Sequence, residues 1–385
     1  MRGTADHAGE HVIPYGRQCL DEDDVAAVAA ALRSDFLTCG PRVGAFERAV
    51  AEFCGAPHAV AVSSGTAALH CAMMALDIRT GDEVIVPPMT FAATANCVLY
   101  QRGTPVFVDV DPETLLLDPA QVEQKITPRT RAIIGVDYAG QPCAWAALRD
   151  IADRRGLALV ADSCHAIGAE DQGRKVGTLA DMTVLSFHPV KHLTTGEGGM
   201  VLTADQALAE RLRLVRSHGI TTDHRQREQA GAWFYEMTEL GFNYRITDIQ
   251  CALGLSQLGK LPGFLARRRA IAARYGEALA GSAARPLALR PGALHAWHLF
   301  VVRVDDRDQV FSALRAAGIG CNVHYIPVHL HPYYRKTLGT GPGLCPVAEA
   351  AFGQILTLPL HPGMSDADCD TVVAAVHAAT QGDRP

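Results

Sequence analysis

Two side chains of opposite charge follow two apolar segments that are typical of buried strands. Lys191 comes shortly after the apolar residues 182–187, and Asp162 ends the segment 157–162, LALVAD. A carboxylate after five apolar residues is costly to bury unless it meets a cation. Because ligands of open α/β sheets collect beyond the carboxyl ends of the strands, we expect both groups at one ligand site. Ser186, which closes the strand before Lys191, would add a hydroxyl there.

A turn of small residues supplies a third part of this site. The strand that ends at Val62 is followed by SSGT, residues 63–66, and then by a helical segment. The N–H groups and the dipole at the start of a helix favour a bound phosphate. Taken alone, Ser-Gly-Thr is more often a helix-capping turn, and a lysine at a strand end is more often a snorkelling side chain with an exposed head.

Together the three features predict a site for pyridoxal phosphate (PLP). The amine of Lys191 would condense with the PLP aldehyde to a Schiff base, and Asp162 would pair with the pyridinium nitrogen. That ion pair keeps the ring protonated, so that the ring can accept electrons released at the substrate carbon. The turn at residues 63–66 would hold the phosphate dianion.

Composition places the chain among ordinary globular proteins. It has 385 residues, of which 48% are hydrophobic and 20% charged, with a net charge of −6. This balance favours neither nucleic acid nor an acidic membrane as a partner. The first residues lack the apolar core of a signal peptide, and no apolar run reaches the length of a membrane span. The 11 cysteines include no C-x-x-C pair, which indicates reduced thiols and a cytoplasmic location.

Alternating apolar and helical segments must position the site. Seven apolar segments predict an α/β fold with about seven strands in one mostly parallel sheet covered by helices. These segments are 58–64, 83–90, 104–110, 131–138, 157–163, 182–188 and 198–204. Helices are predicted at 20–34, 66–76, 91–100, 144–155, 205–216, 245–259 and 265–280. We place a boundary at Pro262-Gly263, between a large domain, 1–262, and a small C-terminal α+β domain, 263–385.

Other familiar motifs are missing or misplaced. No strand is followed by G-x-G-x-x-G, which weakens a nicotinamide or flavin hypothesis. The nearest P-loop match, residues 254–260, ends before Leu261 instead of Ser or Thr and lies within a helical pattern. His324, His329 and His331 are close in sequence, but no carboxylate pattern accompanies them, so we predict no metal site.

The order of several blocks along nearly the whole chain is specific. These blocks include "SSGTAALH", "PPMTFAATANCV", "ADSCHAIGA", "SFHPVKHLTTGEGGMV", "GFNYRITDIQCALGLSQL" and "VHYIPVHLHPYY". Through them the sequence resembles the DegT/DnrJ/StrS-type sugar-nucleotide aminotransferases, which have PLP-dependent transferase fold type I. Within that family, "DYAG", "SFHPVKHLTTGEGG" and "ALGLSQL" are most similar to the members that act in pseudaminic acid synthesis.

The resemblance implies a role for each matching cofactor residue. Lys191 would be the Schiff-base lysine, and Asp162 would be the partner of the pyridinium nitrogen. Phe91 would stack on the ring, and His165 would lie near the ring 3-oxygen. The phosphate would be held by Gly65, Thr66 and Ser186, and by Asn243 of a neighbouring subunit. The last contact implies a homodimer with shared active sites. On sequence alone, Phe91 is equally consistent with a core aromatic, whereas a histidine such as His165 is more often structural and Asn243 is better explained as a turn residue after Gly241.

For the sugar nucleotide, the resemblance implies a second set of contacts. The set is Tyr15, Asp35, Phe36, Leu37, Thr38, Asn322, Val323, His324 and Tyr325. Tyr15 and the segment 35–38 are otherwise unremarkable surface candidates. Around this pocket, Cys39 and Asn322 differ from the side chains of related enzymes. The sequence therefore does not determine which sugar is bound, although the type of reaction is unaffected.

The implied reaction is a ping-pong amino transfer with Lys191 as both anchor and acid/base. L-Glutamate would donate its amino group to C4 of a UDP-linked 4-keto-6-deoxy-N-acetylhexosamine. The alternatives are another NDP-4-keto or 3-keto sugar, as in perosamine- or bacillosamine-type enzymes, a sugar 3-dehydratase, and a non-catalytic sugar or PLP sensor. Dehydratases of this type carry His in place of the lysine, so Lys191 favours amino transfer.

Overall fold

A seven-stranded sheet forms the centre of the protein. The structure is a computed structural model that describes residues 12–222, 227 and 231–381. The strand order is β1-β9-β8-β5-β4-β2-β3, and only β9 runs antiparallel to its neighbours. The strands are β1 (His58–Val62), β2 (Glu83–Val86), β3 (Thr104–Phe107), β4 (Thr130–Val136), β5 (Ala158–Asp162), β8 (Met182–Ser186) and β9 (Gly199–Thr203). The predicted α/β fold with seven mostly parallel strands is confirmed.

Helices cover the sheet, and most begin where the sequence predicts. In the first part of the chain these are α1 (Glu22–Leu32), α2 (Pro41–Cys54), α3 (Gly65–Ala75), α4 (Ala93–Tyr100), α5 (Pro119–Lys125), α6 (Trp145–Arg155) and α7 (Gln206–Arg216). Asp21 caps α1 in a capping box with Asp24, as the acidic first turn suggests. Helix α2 was not among the predicted helices, although Phe46 and Val50 are fully buried on its inner face.

One long helix replaces the two that the sequence predicts on either side of residue 262. Helix α8 (Asp248–Ala278) runs without interruption through Pro262. An interior proline removes one backbone hydrogen bond and usually breaks or kinks a helix. Here Leu258, Leu261 and Leu265 are buried on one side of that position. Their packing against the rest of the protein outweighs the local cost.

The C-terminal part contains a small antiparallel sheet with the order β10-β12-β13. Its strands are β10 (Arg285–Pro286), β12 (Phe300–Arg303) and β13 (Ile355–Leu358), and its helices are α9 (Arg307–Ala316), α10 (Pro332–Leu338), α11 (Pro346–Phe352) and α12 (Asp366–Gln381). A further sheet of two-residue strands pairs β6 (Glu170–Asp171) with β7 (Arg174–Lys175) and β11 (Ala293–Leu294).

Two clusters of buried apolar residues divide the interior. The larger cluster surrounds the central sheet and includes Val328 and Ala348 from the C-terminal part. The smaller one joins Ile13 and Ile271 to the sheet of β12 and β13. Helix α8 contributes to both clusters, so the division at residue 262 stays a prediction. No helix among the described residues is long and apolar enough to cross a membrane.

Candidate active site

One cavity of about 570 Å³ lies at the carboxyl ends of β5 and β8 and at the N-terminus of α3. The sequence-predicted residues that line it are Tyr15, Gly65, Thr66, Phe91, Asp162, His165, Ser186, Lys191, Asn322, Val323, His324 and Tyr325. Strands β5 and β8 are parallel neighbours, which brings Asp162 and Ser186 to the same edge of the sheet. The fold therefore brings these side chains together around one cavity.

Lys191 reaches this cavity from the loop that follows β8. Burial lowers the pKa of its amine below the usual value, while Cys164 and Asp162 oppose that shift. Among the described residues, none forms a hydrogen bond or an ion pair with this amine. A lowered pKa keeps a larger fraction of the amine neutral, which is the form that attacks an aldehyde.

Asp162 is buried at the end of β5 and is held by two donors. Its Oδ2 accepts a hydrogen bond of 2.7 Å from the hydroxyl of Thr94, and its Oδ1 accepts one of 3.3 Å from the backbone N–H of Cys164. The Thr94 hydroxyl in turn lies 2.7 Å from the Thr90 hydroxyl. These contacts orient the carboxylate and offset part of the free energy lost on burying it.

The start of α3 forms the anion-binding end of the cavity. Ser64 caps the helix by accepting from the N–H of Ala67 at 3.1 Å. A Cβ atom on Gly65 would lie 3.0 Å from Cβ of Ser186 and 3.3 Å from Sγ of Cys164. Any larger residue would fill the space between the helix start and the Ser186 hydroxyl. The helix N-terminus and this hydroxyl can therefore approach one phosphate group together.

Two aromatic groups face the cavity between these ends. Phe91 is 61% exposed, which excludes the alternative interpretation of this residue as part of the hydrophobic core. The Nε2 atom of His165 lies 3.1 Å from the hydroxyl of Tyr325. Burial and the positive charge of Lys191 lower the pKa of His165 well below its usual value, and burial raises the pKa of Tyr325. Both groups are therefore neutral near pH 7.

The opposite wall combines the N-terminal arm with the C-terminal part. The ring of Tyr15 lies 5.3 Å from that of His324, and Nδ1 of His324 lies 2.9 Å from the hydroxyl of Thr357. Burial lowers the pKa of His324 to about 4. Asn322 pairs through its backbone with the same threonine. This wall offers uncharged hydrogen-bonding groups, which suits a polyhydroxylated ligand.

Five predicted site residues lie outside the cavity of a single chain. They are Asp35, Phe36, Leu37, Thr38 and Asn243. All are exposed, with backbone bridges from Thr38 to Thr247 and from Asn243 to Ser217. Their roles at a ligand site stay predictions.

The cavity also contains residues that the sequence did not single out. They include Thr90, Thr94, Cys164, Val190, Glu197 and His298. Thr94 had a signal, because it lies one helical turn after Thr90 on the segment that carries Phe91. No sequence feature pointed to His298, because it belongs to a distant segment that only the tertiary fold brings to this cavity. In the part of the chain that the structure describes, no three metal-ligating side chains cluster, and His329 instead bonds to Glu349 at 2.8 Å.

The donor set fits PLP. The lining provides an amine that no described residue pairs with, a buried carboxylate, a helix N-terminus beside a hydroxyl, and an exposed aromatic ring. The Nδ1 atom of His165 is buried and has no partner among the described residues. Each part of the cofactor therefore has a matching group in one cavity.

Comparison with known proteins agrees with this chemistry. The sequence model of the DegT/DnrJ/EryC1/StrS aminotransferase family matches residues 18–377. The chain belongs to this family. It is 40% identical over 382 residues to the spore coat polysaccharide biosynthesis protein SpsC of Bacillus subtilis, covering 97% of this chain and 98% of SpsC. The protein is therefore a PLP-dependent sugar aminotransferase, as predicted, and the sensor alternative is set aside.

Solved structures of family members are similar in fold throughout. Spr1654 of Streptococcus pneumoniae in its PMP (pyridoxamine phosphate) form has a TM-score of 0.92 and 33% identity, covering 96% of this chain and 99% of that one. PseC of Helicobacter pylori, an aminotransferase of pseudaminic acid biosynthesis, has a TM-score of 0.90 and 31% identity, covering 97% and 100%. The expected fold type and cofactor are thus confirmed.

Replacing Thr94 by Val should destabilise the protein by about 1–3 kcal/mol and weaken PLP binding, because the buried Asp162 carboxylate loses a donor. Denaturant unfolding of the apoprotein and titration with PLP measure the two effects. Thr183→Val is the matched control, since the Thr183 hydroxyl is buried on β8 and has no partner among the described residues. Equal losses in the two variants would contradict the role given to Thr94.

Proposed function

We propose that the protein transfers the amino group of L-glutamate to C4 of a UDP-linked 4-keto-6-deoxy-N-acetylhexosamine. The product would be UDP-4-amino-4,6-dideoxy-N-acetyl-β-L-altrosamine, for pseudaminic acid synthesis. The observation that carries the amino-transfer chemistry is the convergence of Lys191, Asp162 and the start of α3 on one cavity. The choice of sugar is supported by the similarity to PseC over 97% of this chain and by the sequence blocks shared with that group.

We assign the cofactor contacts by position in the cavity. Gly65, Thr66 and Ser186 would hold the phosphate, and Asp162 would pair with the ring nitrogen. Phe91 and His165 would border the ring. When bound, PLP accepts electrons from the substrate carbon next to nitrogen and stores the amino group between the two half-reactions.

Lys191 is the group that moves protons. Its partly buried Nζ has a lowered pKa and no partner among the described residues, so it is free to accept the proton from the α-carbon of glutamate. In the second half-reaction the same Nζ would deliver a proton to C4 of the sugar. One amine can serve both steps because no carboxylate of the described residues forms an ion pair with it.

The uncharged wall of Tyr15, Asn322 and His324 would orient the sugar hydroxyls. The same uncharged groups could also orient the hydroxyls of another NDP-sugar. The 40% identity to SpsC supports this alternative, in which the protein aminates a different 4-keto or 3-keto sugar nucleotide.

A homodimer with shared active sites is part of the proposal. Asn243 is exposed and lies outside the cavity of its own chain. Next to it, Trp233, Tyr235 and Leu240 expose 84%, 53% and 74% of their surfaces. Exposed apolar groups of this size mark protein interfaces. A second copy seated there would bring Asn243 to its neighbour's phosphate.

All 11 cysteines are free thiols, which supports a cytoplasmic location.

Borohydride reduction of the PLP-loaded protein should attach the cofactor covalently to Lys191, as peptide mass spectrometry would show. Lys191→Ala should lose turnover by on the order of 10³-fold or more, because anchor and proton carrier are the same group. Lys336→Ala, which alters an exposed lysine, is the control. Label on another lysine, or turnover in Lys191→Ala equal to the parent's, would contradict the mechanism.

Aminated products from a panel of UDP- and dTDP-linked 4-keto sugars test the substrate. We expect amination of the UDP-linked N-acetylhexosamine at C4 with release of 2-oxoglutarate. Exclusive reaction with dTDP sugars would refute the proposed substrate and leave the amino-transfer chemistry intact.

Asn243→Ala should weaken PLP binding by about tenfold, because one phosphate donor is lost. Mixing this variant with Lys191→Ala decides where Asn243 acts. If it acts on the neighbour's site, each mixed dimer has one site with both Lys191 and Asn243, so random mixing in equal amounts should give about a quarter of all sites the parent's PLP affinity. Unchanged PLP affinity, or no recovery on mixing, would exclude the shared site.

A further inference from the structure

The segment 295–298, HAWH, lies beneath the cavity in a strained conformation. Trp297 has a φ of +54°, in the left-handed region that non-glycine residues avoid. Its N–H donates to Nδ1 of His295 at 2.7 Å, and the two rings stack with centroids 3.9 Å apart. Strained backbone of this kind concentrates at functional sites.

This segment packs directly on the backbone of the site. A Cβ atom on Gly140 would lie 2.8 Å from the carbonyl oxygen of His165, 2.9 Å from the nitrogen of Trp297 and 3.0 Å from that of His298. The N–H of Ala296 donates to the carbonyl of Gly140 at 2.9 Å. Only a glycine allows the two backbones to approach this closely.

Arg268 of α8 clamps the segment from the side away from the cavity. It is 1% exposed, and Nη1 donates to the carbonyls of Trp297, His298 and Leu360 at 3.1, 3.4 and 3.0 Å. Among the described residues no carboxylate pairs with it, and burial lowers its pKa to about 9. Such a costly cation is retained where its fixed donors hold backbone carbonyls that nothing else would satisfy.

The clamped segment places one imidazole against another. The ring of His298 is 5% exposed, lines the cavity, and lies 4.4 Å from the ring of His165 and 5.6 Å from that of His192. The Nδ1 atoms of all three histidines are buried without a partner among the described residues. His298 therefore contributes packing, rather than a hydrogen bond, to the position of His165.

We propose that Arg268 and His298 are positioning residues for the amino-transfer reaction. Arg268 holds the strained segment in place. The His298 ring can then keep the His165 side chain in position at the edge of the cofactor and exclude water from it. The proposal rests on the proposed function, in which His165 borders the PLP ring.

The surroundings of His165 predict what happens when this support is removed. It is faced by the cation Lys191, by the imidazoles of His192, His298 and His324, and by the hydroxyl of Tyr325. None of these is an anion that would favour a charged imidazole. Loss of the His298 ring admits water, and the desolvation that keeps His165 neutral is relieved. Its pKa then returns toward the ordinary value of about 6.5.

The test is the absorbance of the PLP-loaded protein between pH 5 and 8.5. His298→Ala, which removes the ring and leaves the backbone bonds to Arg268, and Arg268→Lys should both show a new cofactor transition at about pH 6–7. Adding His165→Gln to His298→Ala should abolish it. The parent and Arg267→Lys should not show it, because Arg267 clamps the carbonyl of Met364 away from the cavity.

A His298→Ala protein without the transition, or one whose transition survives His165→Gln, overturns the inference. Loss of thermal stability alone, with the parent's spectrum at every pH, also overturns it, because that is the signature of a merely structural role. If the parent protein shows no absorbance band of lysine-bound cofactor, the proposed function itself is contradicted, which is a different outcome from those above.

Discussion

The juxtaposition of a buried amine and a buried carboxylate is the constraint on which the site depends. Strands β5 and β8 are parallel neighbours, so Asp162 and the loop that carries Lys191 meet at one sheet edge. Burying either charge costs free energy, and the two groups meet that cost differently: donors hold the carboxylate, whereas burial lowers the pKa of the amine. Thr94 and the backbone of Cys164 hold the carboxylate, which leaves the amine free for chemistry.

Neutral imidazoles complete this electrostatic arrangement. Burial lowers the pKa of His165, His192 and His298, and the positive charge of Lys191 acts on all three in the same direction. The cavity is consequently lined by polar groups that do not compete for charge with a cofactor. Apart from histidines, the ionisable acidic and basic side chains among the described residues of its lining are Lys191, Asp162 and the exposed Glu197.

The cavity is assembled from distant parts of the chain. Tyr15 comes from the N-terminal arm, the cofactor groups from the central sheet, and His298 and His324 from the C-terminal part. Helix α8 holds these parts together, because its residues belong to both buried clusters and Arg268 reaches under the site. The unbroken helix through Pro262 thus packs against both parts of the chain that line the cavity.

Sequence by itself determined the sheet and the chemical centre. Short continuous apolar segments favour strands buried on both faces, and polar residues at the ends of parallel strands are expected at one edge, so the convergence of Lys191, Asp162, Ser186 and the turn at 63–66 on one cavity was predictable. Local patterns also located α1 and α3. The local pattern wrongly predicted two helices separated at Pro262. The burial of leucines on α8 outweighs the hydrogen bond lost at the proline, and helix propensity contains no information about burial. Only tertiary structure could decide the contacts of Arg268 with the backbone of Trp297 and of His298 with His165, since each joins residues far apart in sequence through close packing that no local pattern encodes.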